Sequence, residues 1–360
     1  MSAVAPASPR VSEEDTGLTG LEARGAVRHT SWRLLWLLVA VAVLVCVVLA
    51  SIAIGSRQIP IGSVLEALTD PSAGDDEHVV VRSLRVPRTV AGLLVGAALG
   101  LAGAVMQGVT RNPLADPGLL GVSAGASFAV VFGISVLGVG SALGYVWFAF
   151  AGAAVASVVV YTLGAIGRGG ATPVKLALAG AAVSSFLLSM TTAMLLMDQA
   201  TLDDYRFWAV GSVAGRDSDL IAQLAPFIVV GVLMALASGP VLNSLALGDD
   251  VARSLGSRVG LARLFAATSV VLLVGGATAL AGPIAFVGLT IPHVARAITG
   301  PDYRWVLAYS TVLAPILLLG SDVIGRVVAR PGELQVGIVT AVVGAPFFVM
   351  LVRRRKLAEL

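Results

Sequence analysis

The chain has 360 residues, of which 57% are hydrophobic and 12% charged, with a formal net charge of +3. A soluble domain carries about twice that charged fraction, so the polar surface of a water-soluble fold is missing. So small a net charge gives no reason to expect nucleic acid as a partner, and one cysteine, Cys46, makes neither an intrachain disulfide nor a metal site.

Residues 1–31 are polar, with Pro6, Pro9, Glu13, Glu14 and Asp15. They lack the early apolar stretch of a signal peptide and are expected to form a disordered cytoplasmic tail. Apolar runs then follow at roughly 33–54, 88–108, 118–140, 144–166, 174–197, 219–240, 262–281, 283–299, 304–323 and 334–352. A bilayer crossing takes about 20 apolar residues. The pattern predicts an all-α polytopic membrane protein of about ten transmembrane helices, with residues 32–356 as one transmembrane domain. Breaks fall at charge clusters and at Gly/Pro/Asp groups such as Arg168-Gly169-Gly170 and Thr299-Gly300-Pro301-Asp302.

Basic residues set the expected orientation. With a cytoplasmic N-terminus, inner segments hold 16 lysines and arginines and outer segments 8, the bias of the positive-inside rule. An even span number then places Arg353–Lys356 in the cytoplasm as well. The outer segments are acidic, with Asp75, Asp76, Glu77, Asp198, Asp203, Asp204, Asp217 and Asp219.

One internal repeat is visible. Leu93–Gly103 reads LLVGAALGLAG and Leu272–Gly282 reads LLVGGATALAG, with eight of eleven positions identical at an offset of 179 residues; the same offset relates Pro113 to Pro292. The copies fall in the second and seventh spans, so they are expected to run in opposite directions. Inverted repeats with Gly/Pro-interrupted segments mark transporters, the breaks pointing to the pathway; small-residue-rich helices can also echo one another without such a history.

Enzyme chemistry finds little support. Neither Lys175 nor Lys356 lies in a phosphate-binding Gly-x-x-x-x-Gly-Lys loop. His29, His78 and His293 are far apart in sequence, without metal-ligand spacing, and no serine sits in a nucleophile elbow. Asp116, Asp198, Asp322 and Glu333 fall near span ends, so the spans are poor in the mid-membrane ionisable groups that ion-coupled carriers use. The energy for transport is therefore expected from another subunit.

Three segments remain: Arg85-Val86-Pro87-Arg88; the broken connection from Met106 to Ala126; and the inner loop 245–263, whose polar and apolar residues alternate at helical spacing. On these motifs the chain resembles the FecCD/BtuC-type permeases, the membrane subunits of ABC importers for iron-siderophores, haem and cobalamin. The likeness spans residues 32–356. It rests on Gln107-x-x-x-Arg111-Asn112-Pro113-Leu114-Ala115-Asp116-Pro117-Gly118-Leu119-Leu120-Gly121-Val122-Ser123-x-Gly125-Ala126, Gly282-Pro283-Ile284-Ala285-Phe286-Val287-Gly288-Leu289, Ile291-Pro292-His293 and Pro331-x-Glu333-Leu334-x-x-Gly337.

The resemblance implies a type II ABC importer permease fold in a bacterial cell membrane, with two permease copies, identical or related, forming a pathway at their interface. It implies two cytoplasmic ATPase subunits, which bind the ATP and Mg, so this chain itself needs no cofactor and no catalytic residue. The ATPase would dock at loop 245–263 through Gly248, Asp249, Asp250, Arg253, Leu255 and Gly256; the plainer reading is a solvated amphipathic loop on the membrane surface. An extracytoplasmic substrate-binding protein would meet Arg85, Arg88 and Arg326 with its carboxylates, Arg82 and Arg330 being weaker candidates. Lipid-phosphate contact, or pairing within the chain with the acidic outer loops, is the alternative for these arginines. Gln107, Asn112, Pro113, Ser123 and Gly125 are expected to shape the pathway or gate, although helix–helix hydrogen bonding would equally account for the two amides, and His293 would cap a helix end or join an interface. Ferric siderophore is the expected cargo, with cobalamin and haem as alternatives and an ion-coupled secondary carrier as the competing class.

Overall fold

The computed structural model describes residues 13–70, 75–167 and 172–353. The described residues are helical nearly throughout. In chain order they form α1 (Glu13–Ala53), α2 (Ile61–Thr69), α3 (Asp76–Val79), a π-helical stretch (Val80–Arg85), α4 (Val86–Thr110), a 3₁₀ turn (Pro117–Leu120), α5 (Val122–Ser135), α6 (Ala142–Ala165), α7 (Pro173–Met197), α8 (Gln199–Ala209), α9 (Ser218–Ala237), α10 (Gly239–Ala246), α11 (Asp249–Ser254), α12 (Val259–Ala281), α13 (Val287–Thr299), α14 (Tyr303–Val328) and α15 (Val336–Arg353).

Among the described residues, seven segments are long and apolar enough to cross a membrane: Thr30–Ala53, Asp76–Thr110, Gly144–Ala165, Pro173–Met197, Ser218–Ala237, Val259–Ala281 and Tyr303–Val328. The other three expected spans are shorter. The third begins with the 3₁₀ turn and the left-handed Gly121, which leaves α5 with 14 residues. The eighth unwinds from Gly282 (φ 76°) to Phe286 (φ 68°), which leaves α13 with 13. At 1.5 Å per residue α13 is about 20 Å long, short of a hydrocarbon core of about 30 Å. The tenth, α15, has 18 residues.

At the N-terminus, helix begins at Glu13 rather than after residue 31. Lengthening a helix already nucleated by the first span costs little, so the second half of the expected disordered tail is helical. Residues 1–12 lie outside the described residues, as do Arg168–Gly170 and 354–360.

The centre of the bundle is α4, its apolar stretch the most buried of the seven. Its glycines bring backbones close, as in other lipid-embedded bundles. Gly92, Gly96 and Gly100 meet Leu319, Pro315 and Ala314 in descending order, so α4 and α14 run antiparallel. Arg111 at the end of α4 and Arg263 near the start of α12 both pair with Asp249, at 3.1 and 3.0 Å. The two repeat-bearing helices are thus antiparallel, as the repeat requires.

The breaks are closed by backbone bonds, as water-free surroundings demand. Ser212 N–H donates to Ala281 O at 2.7 Å and Gly337 N–H to Gly211 O at 3.1 Å. The turn after α8 is thereby wedged between the end of α12 and the start of α15.

Candidate functional site: two charged ends and a groove

At one end of the bundle α1 and α14 finish and α4 begins. The last carbonyls of a helix have no intrahelical donor, and here arginines supply them. Arg85 Nη1 donates to Ile52 O (2.9 Å) and Ala53 O (2.7 Å), and its Nη2 to Arg57 O (2.7 Å). Arg326 Nη1 donates to Ser51 O (2.7 Å) and Ile54 O (3.0 Å). Arg330 Nη2 donates to Gly55 O at 2.8 Å.

Two acids complete the cluster. Asp322 accepts from Arg88 Nη2 at 2.8 Å and also from Arg326, and is itself 1% exposed. Glu333 accepts from Arg88 Nη1 at 2.5 Å and from Ser56 Oγ at 2.7 Å. Burial pushes the Glu333 carboxyl up, but the bonds from Arg88 and Ser56 outweigh it and hold the group below the usual glutamate range.

This placement corrects the expectation of outward-facing docking arginines. Arg85, Arg88 and Arg326 are only 5%, 9% and 1% exposed, and their donors are spent inside the chain. The physical cause is helix length. The ninth span was expected to stop near residue 323, whereas α14 runs to Val328 and carries both Asp322 and Arg326 within the helix, one turn apart. The i,i+4 spacing of that pair was readable; the partners Ser51, Ser56 and Glu333 were not. The exposed arginines at this end are Arg57, Arg82 and Arg330.

The opposite end carries the 245–263 segment. Gly248 (φ 106°) and Gly256 (φ 82°) bracket the six-residue α11; left-handed φ of this kind favours glycine. Ala252 is buried, while Leu247, Val251 and Leu255 are 63%, 44% and 63% exposed. Val251 lies on α11, and Leu247 and Leu255 flank it on either side. Asp249 pairs with Arg111 at 3.1 Å and Arg263 at 3.0 Å. Arg111 is itself the left-handed residue (φ 51°) that ends α4, so Asp249 fastens α11 to the end of α4 and the first turn of α12. Asp250 and Arg253 form an exposed pair at 2.9 Å, a contact of small energetic weight. All six residues expected in the coupling segment meet on this surface.

Beside it opens a groove with a volume of ≈ 660 Å³, and Gln107, Arg111, Pro113, His293, Arg296 and Tyr303 contribute to its walls. Gln107 Nε2 donates to Gly288 O (3.4 Å) and Leu289 O (3.3 Å), and its Oε1 accepts from Arg296 Nη2. His293 Nδ1 lies 3.2 Å from Leu289 O within its own helix.

Of the five residues expected at the pathway, Gln107 and Pro113 line this groove. Asn112 is exposed beside it, and its Oδ1 accepts from Leu114 N–H at 2.9 Å, which shapes the turn. Ser123 and Gly125 belong elsewhere. Ser123 is half-buried in the first turn of α5, and Gly125 packs against the backbone of Gly152 on α6, where any Cβ would overlap the Gly152 carbonyl. Small residues after a break were read as pathway lining; here they serve helix contact. Arg296, Tyr303, Phe347 and Met350 also line the groove, and sequence reasoning did not single them out.

The profile of the FecCD transport family matches residues 42–354. The ferric enterobactin transport system permease protein FepD of Escherichia coli is 47% identical over 306 residues, covering 85% of this chain and 91% of the relative. The Fe(3+)-citrate import system permease protein YfmD of Bacillus subtilis is 40% identical over 329 residues, covering 91% and 97%. Among solved structures, a chain described as of metal-chelate ABC transporter type, in an inward-facing conformation, superposes with a TM-score of 0.77 at 25% identity, covering 88% of this chain and 98% of that one. With seven long apolar helices, their antiparallel repeat and this match over most of its length, the chain is a multi-pass membrane protein and belongs to the FecCD transport family.

Proposed function

We propose that this chain is the permease subunit of an ATP-driven bacterial inner-membrane importer of a ferric siderophore. It works as one of two permeases, with two ATPases on the cytoplasmic side and a binding protein outside. The observation that carries the reading is the α11 surface. Val251 on α11, with Leu247 before it and Leu255 after it, leaves apolar side chains exposed among the described residues, around a helix that Asp249 fastens to the wall of the groove. A short amphipathic helix of this kind seats in a cleft of a partner and transmits its movement. The two-to-one excess of basic residues supports placing this end in the cytoplasm, and the iron-chelate cargos in the relatives' names favour a siderophore over cobalamin or haem.

The test is co-purification of the chain with its ATPase, comparing wild type with Val251→Asp and Leu255→Asp. Loss of the ATPase from both variants, with the permease still extracted as a folded species, is the expected result. Undiminished association in both would show that the ATPase docks elsewhere. Proteoliposomes holding the full complex should import a ferric chelate only with ATP inside; uptake by the permease without ATPase, driven by an ion gradient, would instead make it a secondary carrier.

A further inference from the structure

We propose that Arg296 is a contact for anionic cargo in the groove, a subsite for the negatively charged donor oxygens of a ferric chelate; this rests on the importer reading above. The groove has a volume of ≈ 660 Å³, within the range of sites that take small organic ligands. Its charged lining consists of Arg111 and Arg296, and no carboxylate lines it among the described residues. Arg111 is neutralised by Asp249, and Arg296 differs from it.

Among the buried arginines, Arg88 faces Asp322 and Glu333, Arg263 faces Asp249 and Arg326 faces Asp322, while Arg85 is taken up by three backbone carbonyls at a helix end. Arg296 is half-buried and, among the described residues, has no carboxylate within ion-pair distance. It is held by neutral acceptors, the Gln107 amide oxygen and Tyr303 Oη at 3.5 Å. Gln107 is in turn tied through its Nε2 to the carbonyls of Gly288 and Leu289. The guanidinium is therefore positioned by its neighbours while no carboxylate among the described residues pairs with it.

A buried charge is costly unless it is paired, and an anion entering the groove supplies the pair. Ferric complexes of catecholate or carboxylate ligands present negatively charged oxygens around the metal. Arginine suits such a surface because its planar fork bonds two oxygens at once. Phe347 and Met350 on the same groove offer apolar contact for the ligand's organic frame. A single cation attracts without trapping, and a conduction pathway requires binding weak enough to release.

The experiment measures equilibrium binding of two probes, ferric tris(catecholate), which is anionic, and a neutral ferric trihydroxamate. The protein is the complete nucleotide-free complex in nanodiscs, with Arg296→Gln and Arg296→Lys as variants. Expected are at least a tenfold loss of tris(catecholate) binding in R296Q, recovery to within a few-fold in R296K, and trihydroxamate binding unchanged in both. Equal losses for both probes would reduce Arg296 to a shape or folding role and overturn the proposal. Undiminished tris(catecholate) binding in R296Q would overturn it too. So would an Arg296 effect confined to nanodiscs containing anionic lipid, which would mark a headgroup site. ATP-dependent import by the wild-type complex is measured in parallel. Import with an insensitive R296Q removes only this inference, whereas no import of any ferric chelate by the wild type removes the importer reading and this inference with it.

Discussion

Asp249 and Arg111 form an ion pair at 3.1 Å between the helix α11 and the end of α4. Because Arg111 also lines the groove, the pair links the exposed α11 surface to the groove wall, and under the proposed function it is a mechanical link from the ATPase to the pathway. Asp249 is partly exposed, so the pair adds little to overall stability. Arg111→Gln should therefore shift the unfolding temperature only slightly while sharply lowering chelate imported per ATP hydrolysed, whereas Asp249→Asn also removes the carboxylate that the largely buried Arg263 faces and should lower stability as well. In a double-mutant cycle Arg111→Gln should add little on top of Asp249→Asn, because the two share one contact. Full additivity in transport would mean that they act separately.

Asp322 stands in the opposite regime. It is 1% exposed and lies between Arg88 and Arg326. Asp322→Asn keeps the shape but takes the paired carboxylate from Arg326 and leaves Arg88 with Glu333 alone. Breaking a buried pair by removing one partner typically costs about 3–5 kcal/mol, so this variant should show a large drop in detergent thermal stability. An unfolding temperature within a degree or two of wild type would mean that water already screens the cluster.

Glu333 gives this cluster a pH limb. Its folded-state pKa is depressed, by Arg88 and Ser56 acting against burial. A depressed carboxylate stabilises the fold above its unfolded value of about 4.3, and that contribution is lost as pH falls from there through the lower folded value. Stability should decline on acidification across this window. Glu333→Gln should flatten the decline while lowering stability at neutral pH, as thermal unfolding at a series of pH values would show. An unchanged acid limb in the variant would assign the decline to other groups.

How much was legible in the sequence depended on the range of the interaction. Apolar runs report span positions directly, and the Leu93–Gly103 echo at Leu272–Gly282 was enough to foresee that α4 and α12 run antiparallel. The surface segment 245–263 was legible because its glycines, acids and exposed leucines lie within one short stretch. The arginine end was not, because Arg88 finds Asp322 and Glu333 at separations of 234 and 245 residues. A tally of cations by loop cannot see that they are buried against acids on another helix. Arg296 was counted only as one more inner cation, since its distinguishing feature is what its surroundings lack. Gly125 was misread because glycine has the same look at a break and at a helix contact.

The two repeat glycines make that last distinction testable. Gly103 is helical and touches the backbone of α13; a Cβ there would overlap the carbonyl of Gly288. Gly282, its counterpart at the same offset, has φ 76° and ends α12 against Trp208 O. Gly103→Ala thus fails by overpacking, typically about 1–3 kcal/mol, and Gly282→Ala by backbone strain as well as contact. Gly62 on α2 has no atom within 4 Å of its would-be Cβ, so Gly62→Ala should raise stability by about 0.5–1 kcal/mol through helix propensity alone. Thermal unfolding of the three variants should rank Gly62→Ala above wild type and both repeat variants well below it. A tolerated Gly103→Ala would mean that α4 and α13 can separate at their crossing, and the close approach would then be one state of a movable contact rather than a fixed point of the bundle.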